Sequence, residues 1–280
     1  MRKIVFTAAV VLACAFSALV AAGRQSAPPP PRNATPQGVG VISTGGPVSS
    51  IRPVPNGYRF ANGETLHYAA EWRLWTAGVA TIRLDQAGND EHITVSADSA
   101  GAVAVLYRVA DHFESFFDHK TFCSIRINKH SEEGLHRRET KIQFDYTKKK
   151  AVLDEQNLKT DERKHTEEDI PGCVSDVLSS IFYVGSMPLE PGSTYVLPVN
   201  DGGKTYDVKA VVEGREEIKT EAGTFRTLRV QPSAESGVLK SRGKIWIWYS
   251  DDAAHIPVQM RARLFWGTLT FRLTQVDRQP

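Results

Sequence analysis

The chain has 280 residues, of which 41% are hydrophobic and 24% are charged, a balance typical of soluble globular proteins with one large or two small domains. Its formal net charge is +2, and Arg2 and Lys3 supply both charges if residues 1–22, which contain no Asp or Glu, are removed. A neutral remainder has no overall field to attract nucleic acid or anionic lipid. We therefore expect no nucleic-acid partner.

Residues 1–22 have the pattern of a secretory signal peptide. Arg2 and Lys3 precede an apolar stretch, and Val20 and Ala22 place small residues at the −3 and −1 positions of a cleavage site. A retained membrane anchor needs about 20 apolar residues, and this stretch is slightly shorter. Lipid attachment at Cys14 fits poorly, because the apolar run continues past it. We expect export to the periplasm or the cell exterior, and no membrane span in the mature chain.

Residues 23–57 are rich in Pro, Gly, Ser and Ala and contain almost no large apolar side chain. Such a composition buries too little surface to offset the entropy of ordering the chain. We therefore expect a disordered tether over 23–57, followed by a single β-rich domain over 58–277.

Alternation of apolar and polar residues predicts β-strands through the first part of this domain. The predicted strands are residues 65–72, 78–84, 93–97, 111–117, 123–129 and 140–146. Residues 100–109 are apolar and are compatible with either a short helix or a strand. Residues 147–169 are highly charged and predict an exposed hairpin or loop.

One helix is predicted at about residues 174–184. Ser175 or Asp176 stands where a cap is favoured, and Gly185 is typical of a helix end. The apolar residues recur at the spacing of one helical face: Val174, Val177, Leu178, Ile181 and Phe182.

Further strands follow the helix, at residues 194–199, 205–212, 216–220, 224–231, 245–249, 258–264 and 268–273. In the strand 245–249 both faces are apolar, so we expect both to be covered. Short strands, one helix and no alternation of strands with helices predict an all-β fold. The expected architecture is a strongly curved antiparallel sheet, or a partly open β-barrel or roll, with one packed helix.

Removal of the signal peptide leaves two cysteines, Cys123 and Cys173. In an oxidising compartment two cysteines of an exported domain most simply form a disulfide bond. The alternatives are two buried free thiols or a metal pair, although neither residue has the close Cys or His neighbours that zinc ligands require.

A set of short motifs occurs in order along the domain: Gly63–Tyr68 with Trp72, Gly78–Ala80, Ser115, Asp118, Glu133–Gly134, Phe144–Asp145, Asp176, Ser179, Tyr183, Leu189, Gly192, Ala222–Phe225, Trp248–Asp252 and Pro257–Val258. In order and spacing this set resembles the exported bacterial proteins grouped as domain of unknown function 3108. The resemblance covers about residues 58–275 and implies an exported, β-rich protein, and it supplies no catalytic residue.

No nucleophile elbow, zinc-protease motif, P-loop or dinucleotide-binding motif occurs in the sequence. His112 and His119, with Glu114 and Asp118 nearby, form a conceivable metal or acid–base site, although isolated His residues are usually structural. Three further groups of residues are better explained by turns, capping and packing: Asp251 with Asp252, Asp176 with Ser179, and Tyr183. The sequence therefore predicts no catalytic, metal or cofactor-binding residue.

Curved antiparallel sheets often enclose an apolar cavity. By analogy of fold with periplasmic carriers that use a helix as a plug, the first hypothesis is a non-catalytic protein of the cell envelope. It would bind a lipid, another apolar ligand or an envelope protein. The alternative is a secreted hydrolase that acts on an envelope polymer such as a glycan.

Overall fold

The structure is a computed structural model that describes residues 49–55, 58, 60–72, 75–234, 243–264 and 267–278. The predicted signal peptide and most of the predicted tether lie outside the described residues. One sheet of 15 strands dominates the fold.

The first half of the chain forms one half of this sheet as a continuous meander. Each strand pairs in antiparallel fashion with the next, because the turns between them are short. The strands are β1 Glu64–Trp72, β2 Trp75–Ala87, β3 Asp90–Ser99, β4 Val109–Asp118, β5 Ser124–Glu133, β6 His136–Asp145, β7 Lys150–Asn157 and β8 Arg163–Asp169; helix α1, Gly101–Leu106, joins β3 to β4.

The second half of the chain forms the other half of the sheet, and β15 pairs with β1 so that the two halves join at the centre. A second helix, α2, covers Val177–Gly185. The strands are β9 Ser175–Asp176, β10 Thr194–Asp201, β11 Lys204–Thr220, β12 Gly223–Ala234, β13 Lys244–Ser250, β14 Pro257–Leu264 and β15 Gly267–Arg278.

The sheet curves until its two outer parts meet, which makes a partly open barrel. The amide of Ser124 on β5 donates to the carbonyl of Val174 at 2.8 Å. The buried Lys129 ammonium on β5 lies 3.5 Å from the carboxylate of Asp201 at the end of β10. Apolar residues on the inner faces of the strands, with α2, form one continuous core. The predicted all-β fold with one packed helix is therefore confirmed.

Of three local features, one differs from the sequence-based expectations and two agree with them. Pairing of β9 with β10 is parallel, so the sheet is mixed rather than wholly antiparallel. Residues 100–109 contain a six-residue helix and then the start of β4. The charged residues 147–169 form the β7–β8 hairpin at one edge of the sheet, as predicted.

The segment 49–55, which the sequence assigned to the tether, packs on the fold. Ile51 and Val54 contact the core, and the amide of Arg52 donates to the Tyr183 hydroxyl at 2.8 Å. The amide of Ser50 donates to the carbonyl of Val196 on β10 at 3.2 Å. The packed part of the chain therefore begins no later than residue 49, and the predicted end of the tether at residue 57 is wrong.

Candidate functional site

An apolar pocket of about 90 Å³ lies between α2 and the second half of the sheet. Its walls are side chains that alternate inward along the strands, as the period of two in a β-strand requires. The lining residues are Val177, Ser180, Ile181 and Val184 of α2, with Leu197, Val199, Val208, Ala210, Val230, Pro232, Ile245, Ile247, Tyr249, Met260, Arg261 and Phe271.

The mouth of the pocket is marked by the lining residues that are only partly buried. These include Val177 and Ser180 on α2, and Pro232 and Ile245 on β12 and β13. The remaining apolar side chains of the lining are almost completely buried. The interior is therefore nearly free of polar groups, whereas ordinary catalytic clefts gather several of them.

The start of α2 is fixed by a buried carboxylate. Asp176 accepts hydrogen bonds from the amides of Leu178 and Ser179 at 2.8 and 3.2 Å, which satisfies the otherwise unpaired donors of the first turn. Ser179 donates to Asp176 and also accepts from its amide, so the two residues form a capping box.

The same carboxylate connects α2 to the first half of the sheet. The hydroxyls of Ser115 on β4 and Ser124 on β5 donate to Asp176 Oδ2 at 2.6 and 2.7 Å. Every residue of this cluster is completely buried. The sequence reasoning favoured capping for Asp176 and Ser179, and the geometry agrees. Three hydroxyl donors and two amides occupy the carboxylate, so it has the bonding pattern of a structural anchor.

A tyrosine in the pocket wall also holds α2 in place. The hydroxyl of Tyr249 donates to the carbonyl of Ile181 at 2.8 Å, and Tyr68 similarly donates to the carbonyl of Pro257 at 2.7 Å. Burial raises the pKa of both phenols well above the usual value, so both stay neutral donors. The bond from Tyr249 joins α2 to β13, and the bond from Tyr68 joins β1 to the start of β14.

Cys123 and Cys173 form a disulfide bond, with their Cα atoms 5.0 Å apart. The bond joins the start of β5 to the segment that leads into β9 and α2. The hydroxyl of Tyr146 donates to the carbonyl of Ser124 at 2.6 Å beside it. The predicted pairing is present, and it holds the approach to α2 against the sheet.

An aromatic cluster closes the opposite side of α2 from the pocket. Phe182 packs against Phe60 with ring centroids 5.7 Å apart, and Phe60 meets Phe117 at 5.3 Å. Phe122 stacks on Phe117 at 4.9 Å. The helix is therefore packed on this side and borders the pocket on the other.

The histidines and acids considered around β4 do not converge. His112 bonds to the Ser96 hydroxyl, whereas His119 bonds to the carbonyl of Asn89. Asp118 caps its own turn through the amides of residues 120 and 121, and Glu114 accepts from Asn128. Within the part of the chain that the structure describes, no group of three or more potential metal ligands comes together.

Asp251 and Asp252 both have structural partners. Asp251 lies 3.1 Å from Arg215 and 3.5 Å from Arg226. Asp252 accepts from the Ser250 hydroxyl and from the amides of the following turn. Neither carboxylate is directed toward the other, so their arrangement is that of a turn, as the sequence favoured.

The sequence analysis singled out the apolar strand 245–249, and its residues Ile245, Ile247 and Tyr249 line the pocket. It did not identify the pocket, because a void depends on how strongly the sheet curves around α2. The described helices include none that is both long and apolar enough to cross a membrane.

The comparisons with solved structures find matches at low sequence identity. A β-barrel-like protein of domain of unknown function DUF1849 from Brucella abortus is 8% identical with a TM-score of 0.56, covering 79% of this chain and 99% of that one. A hypothetical protein from Chlamydia trachomatis is 9% identical with a TM-score of 0.34, covering 77% and 87%. At such identities the likeness to the Brucella protein concerns the fold alone.

Among curated proteins, none matches the chain. A family model does match, and it covers residues 67–274, from within β1 to within β15, including α2 and the pocket. The motifs noted in the sequence fall within the same span or at its edge. The chain therefore belongs to the family described as protein of unknown function DUF3108.

Proposed function

We propose that the protein is an exported, non-catalytic binding protein of the cell envelope that receives the end of an acyl chain or a similar apolar group in the pocket between α2 and β10–β15. The observation that carries this proposal is the pocket itself. Its lining is almost entirely apolar, and its mouth is open beside Val177 and Ile245. Removal of apolar surface from water is the driving force such a site provides.

The size of the pocket limits the ligand. A volume of about 90 Å³ is smaller than the ~150 Å³ cavity that holds benzene in an engineered protein, and much smaller than the roughly 300–1,000 Å³ of sites for whole small molecules. A few carbon atoms at the end of a chain fit this volume. The polar head of such a ligand would stay at the mouth, where Ser180 and the partly buried Arg261 border the pocket.

Export is the second part of the proposal. Its support is the signal-peptide pattern of residues 1–22 together with the disulfide bond, which suits an oxidising compartment. N-terminal sequencing of protein purified from the envelope should give a start near Gly23. A retained Met1 would refute this part.

The binding part is tested by filling the mouth of the pocket. The probe is N-phenyl-1-naphthylamine, whose fluorescence rises in apolar sites, with displacement by dodecanoate. Ser180→Phe should lower the affinity for both by at least tenfold, because the ring would occupy the space beside Val177. Ser96→Phe, on the outer face of β3 and also only partly buried, is the matched control and should bind normally.

The binding measurements can refute the proposal in two ways. Equal binding by both variants, or no binding by the unmodified protein, would refute the proposed pocket function. Thermal unfolding of both variants identifies any general loss of structure.

A further inference from the structure

The connections between strands alternate between two ends of the sheet. One end, which we call the α1 end, carries the β1–β2 turn, the helix α1, and the β5–β6, β7–β8, β10–β11 and β14–β15 turns, with the end of β12 and the start of β13. The opposite end carries the β2–β3, β4–β5, β6–β7 and β11–β12 turns. The two ends differ sharply in the side chains that they expose.

Large apolar side chains that face solvent gather at the α1 end. Among the residues that the structure describes, all but one of them lie in its connections or at the strand end beside them: Trp75 (74% exposed), Val105 (87%), Leu106 (84%), Leu135 (80%) and Leu158 (41%). The exception is Val79, which lies further along β2 on the outer wall. In the described turns of the opposite end, no large apolar side chain is exposed. Single exposed apolar residues are ordinary, but their confinement to one end is not.

Packing inside the protein does not account for the apolar residues of helix α1. Its sequence is Gly-Ala-Val-Ala-Val-Leu, yet none of its residues is buried. The helix is nevertheless held at both ends. The amide of Ala100 donates to the carbonyl of Ala77 at 2.9 Å, and the amide of Gly134 donates to the carbonyl of Arg108 at 2.8 Å. The fold therefore presents Val105 and Leu106 to the outside in a fixed position.

Basic side chains surround these apolar tips. The acidic residues at the same end are fewer: Glu132, which lies 3.8 Å from both Arg108 and Arg137, and the exposed Asp98, Asp161 and Glu162. The exposed basic residues at this end are Arg108, Arg137, Lys159, Arg163, Lys244 and Arg263. Lys159, Lys244 and Arg263 have no ion-pair partner among the described residues. The local charge is therefore positive, although the chain after residue 22 is neutral overall.

We propose that the α1 end docks on the surface of a lipid bilayer that contains anionic headgroups. Separate apolar tips can each enter the boundary between headgroups and acyl chains, while flanking Lys and Arg side chains reach the headgroup charges. A protein partner would instead require one continuous complementary surface. This inference goes beyond the proposed pocket function and does not rest on it. Pro232 and Ile245 at the pocket mouth do lie at strand ends on this same end, so a docked molecule directs its pocket toward the lipid.

The test is co-sedimentation of the purified protein with vesicles. Vesicles of phosphatidylethanolamine with phosphatidylglycerol should bind the protein, binding should weaken with added salt, and phosphatidylcholine vesicles should bind it much less. Leu106→Ser/Leu135→Ser should lower partitioning at least tenfold, because both side chains are already exposed and the fold does not need them. Val79→Ser, an exposed apolar residue on the wall, is the matched control and should not change binding.

A second pair of variants tests the charges. Arg108→Glu/Lys159→Glu should lower binding to anionic vesicles at least tenfold, whereas Lys120→Glu/Lys219→Glu, with the same change in charge at the opposite end, should have little effect. Absence of vesicle binding would overturn the proposal, as would equal losses in the test and control variants. Concentration-dependent self-association abolished by Leu106→Ser/Leu135→Ser, without vesicle binding, would also overturn it in favour of an interface between copies. Pocket binding of N-phenyl-1-naphthylamine should survive in every variant.

Discussion

Removal of the disulfide bond should destabilise the protein chiefly through its unfolded state. The bond joins residues with a sequence separation of 50, for which the chain-entropy relation gives about 4 kcal/mol at 25 °C. In the folded state Ser124 and Val174 remain joined by their backbone hydrogen bond at 2.8 Å. The native fold should therefore persist in Cys123→Ser/Cys173→Ser, with a lower free energy of unfolding.

Urea unfolding followed by tryptophan fluorescence measures this change. The double variant should lose about 4 kcal/mol, and its dependence on urea should steepen, because an unfolded chain without the cross-link exposes more surface. Unmodified protein treated with a reductant should behave like the double variant, which controls for the serine substitutions. A loss below about 1 kcal/mol, or no difference between reduced and oxidised protein, would refute the reasoning. Thiol counting on denatured, unreduced mature protein should find no free thiol.

Three further outcomes are expected. Phe182→Ala should cost about 3–5 kcal/mol in urea unfolding, because the ring is 6% exposed and packs on Phe60; a change below about 1 kcal/mol would contradict this packing. Asp176→Ala should cost about 3 kcal/mol or more, above the usual ~1 kcal/mol for a helix cap, since it also leaves buried hydroxyls unpaired; a loss no larger than an ordinary cap would contradict the anchor role. A hydrogen bond to Glu139 raises the pKa of His130 above its usual 6.5, so this pair stabilises the fold fully below about pH 6.5 and progressively less as the pH rises through the folded-state pKa. Titration by NMR should show this raised pKa and its fall in Glu139→Gln, and an unchanged pKa in the variant would contradict the cause.

Elements defined by local pattern were largely predictable from the sequence. The helix was expected at about 174–184, and α2 spans Val177–Gly185. Val174 continues the helical spacing but lies before the Asp176 cap, in extended chain whose carbonyl accepts from Ser124. Periodicity alone therefore placed the start too early, because a cap residue and not the apolar pattern decides where the helix begins.

Features that depend on distant partners were not predictable. Residues 49–55 have the composition of a linker, but they bind Val196 and Tyr183, which are far away in the sequence.

The two apolar faces of β13 were expected to be covered, and Trp248 is indeed buried on the outer side. Long polar side chains cover it there: its indole nitrogen donates to Glu216 at 2.7 Å, and the Arg261 guanidinium lies 5.1 Å from its ring.

The pairing of β1 with β15 has a consequence for the order in which the molecule assembles. During synthesis, and again during passage of an exported chain across a membrane, β1 emerges first and its other edge stays unpaired until β15 emerges. Both cysteines lie long before β15 in the chain, so once they reach an oxidising compartment their bond and the β1–β8 meander can form before β15 arrives. An open strand edge is a template for pairing with other chains. Correct folding therefore depends on rapid arrival of β15 or on protection of β1 by a chaperone. Loss of β15 would expose two edges at once, on β1 and β14, and should convert a folding chain into an aggregating one.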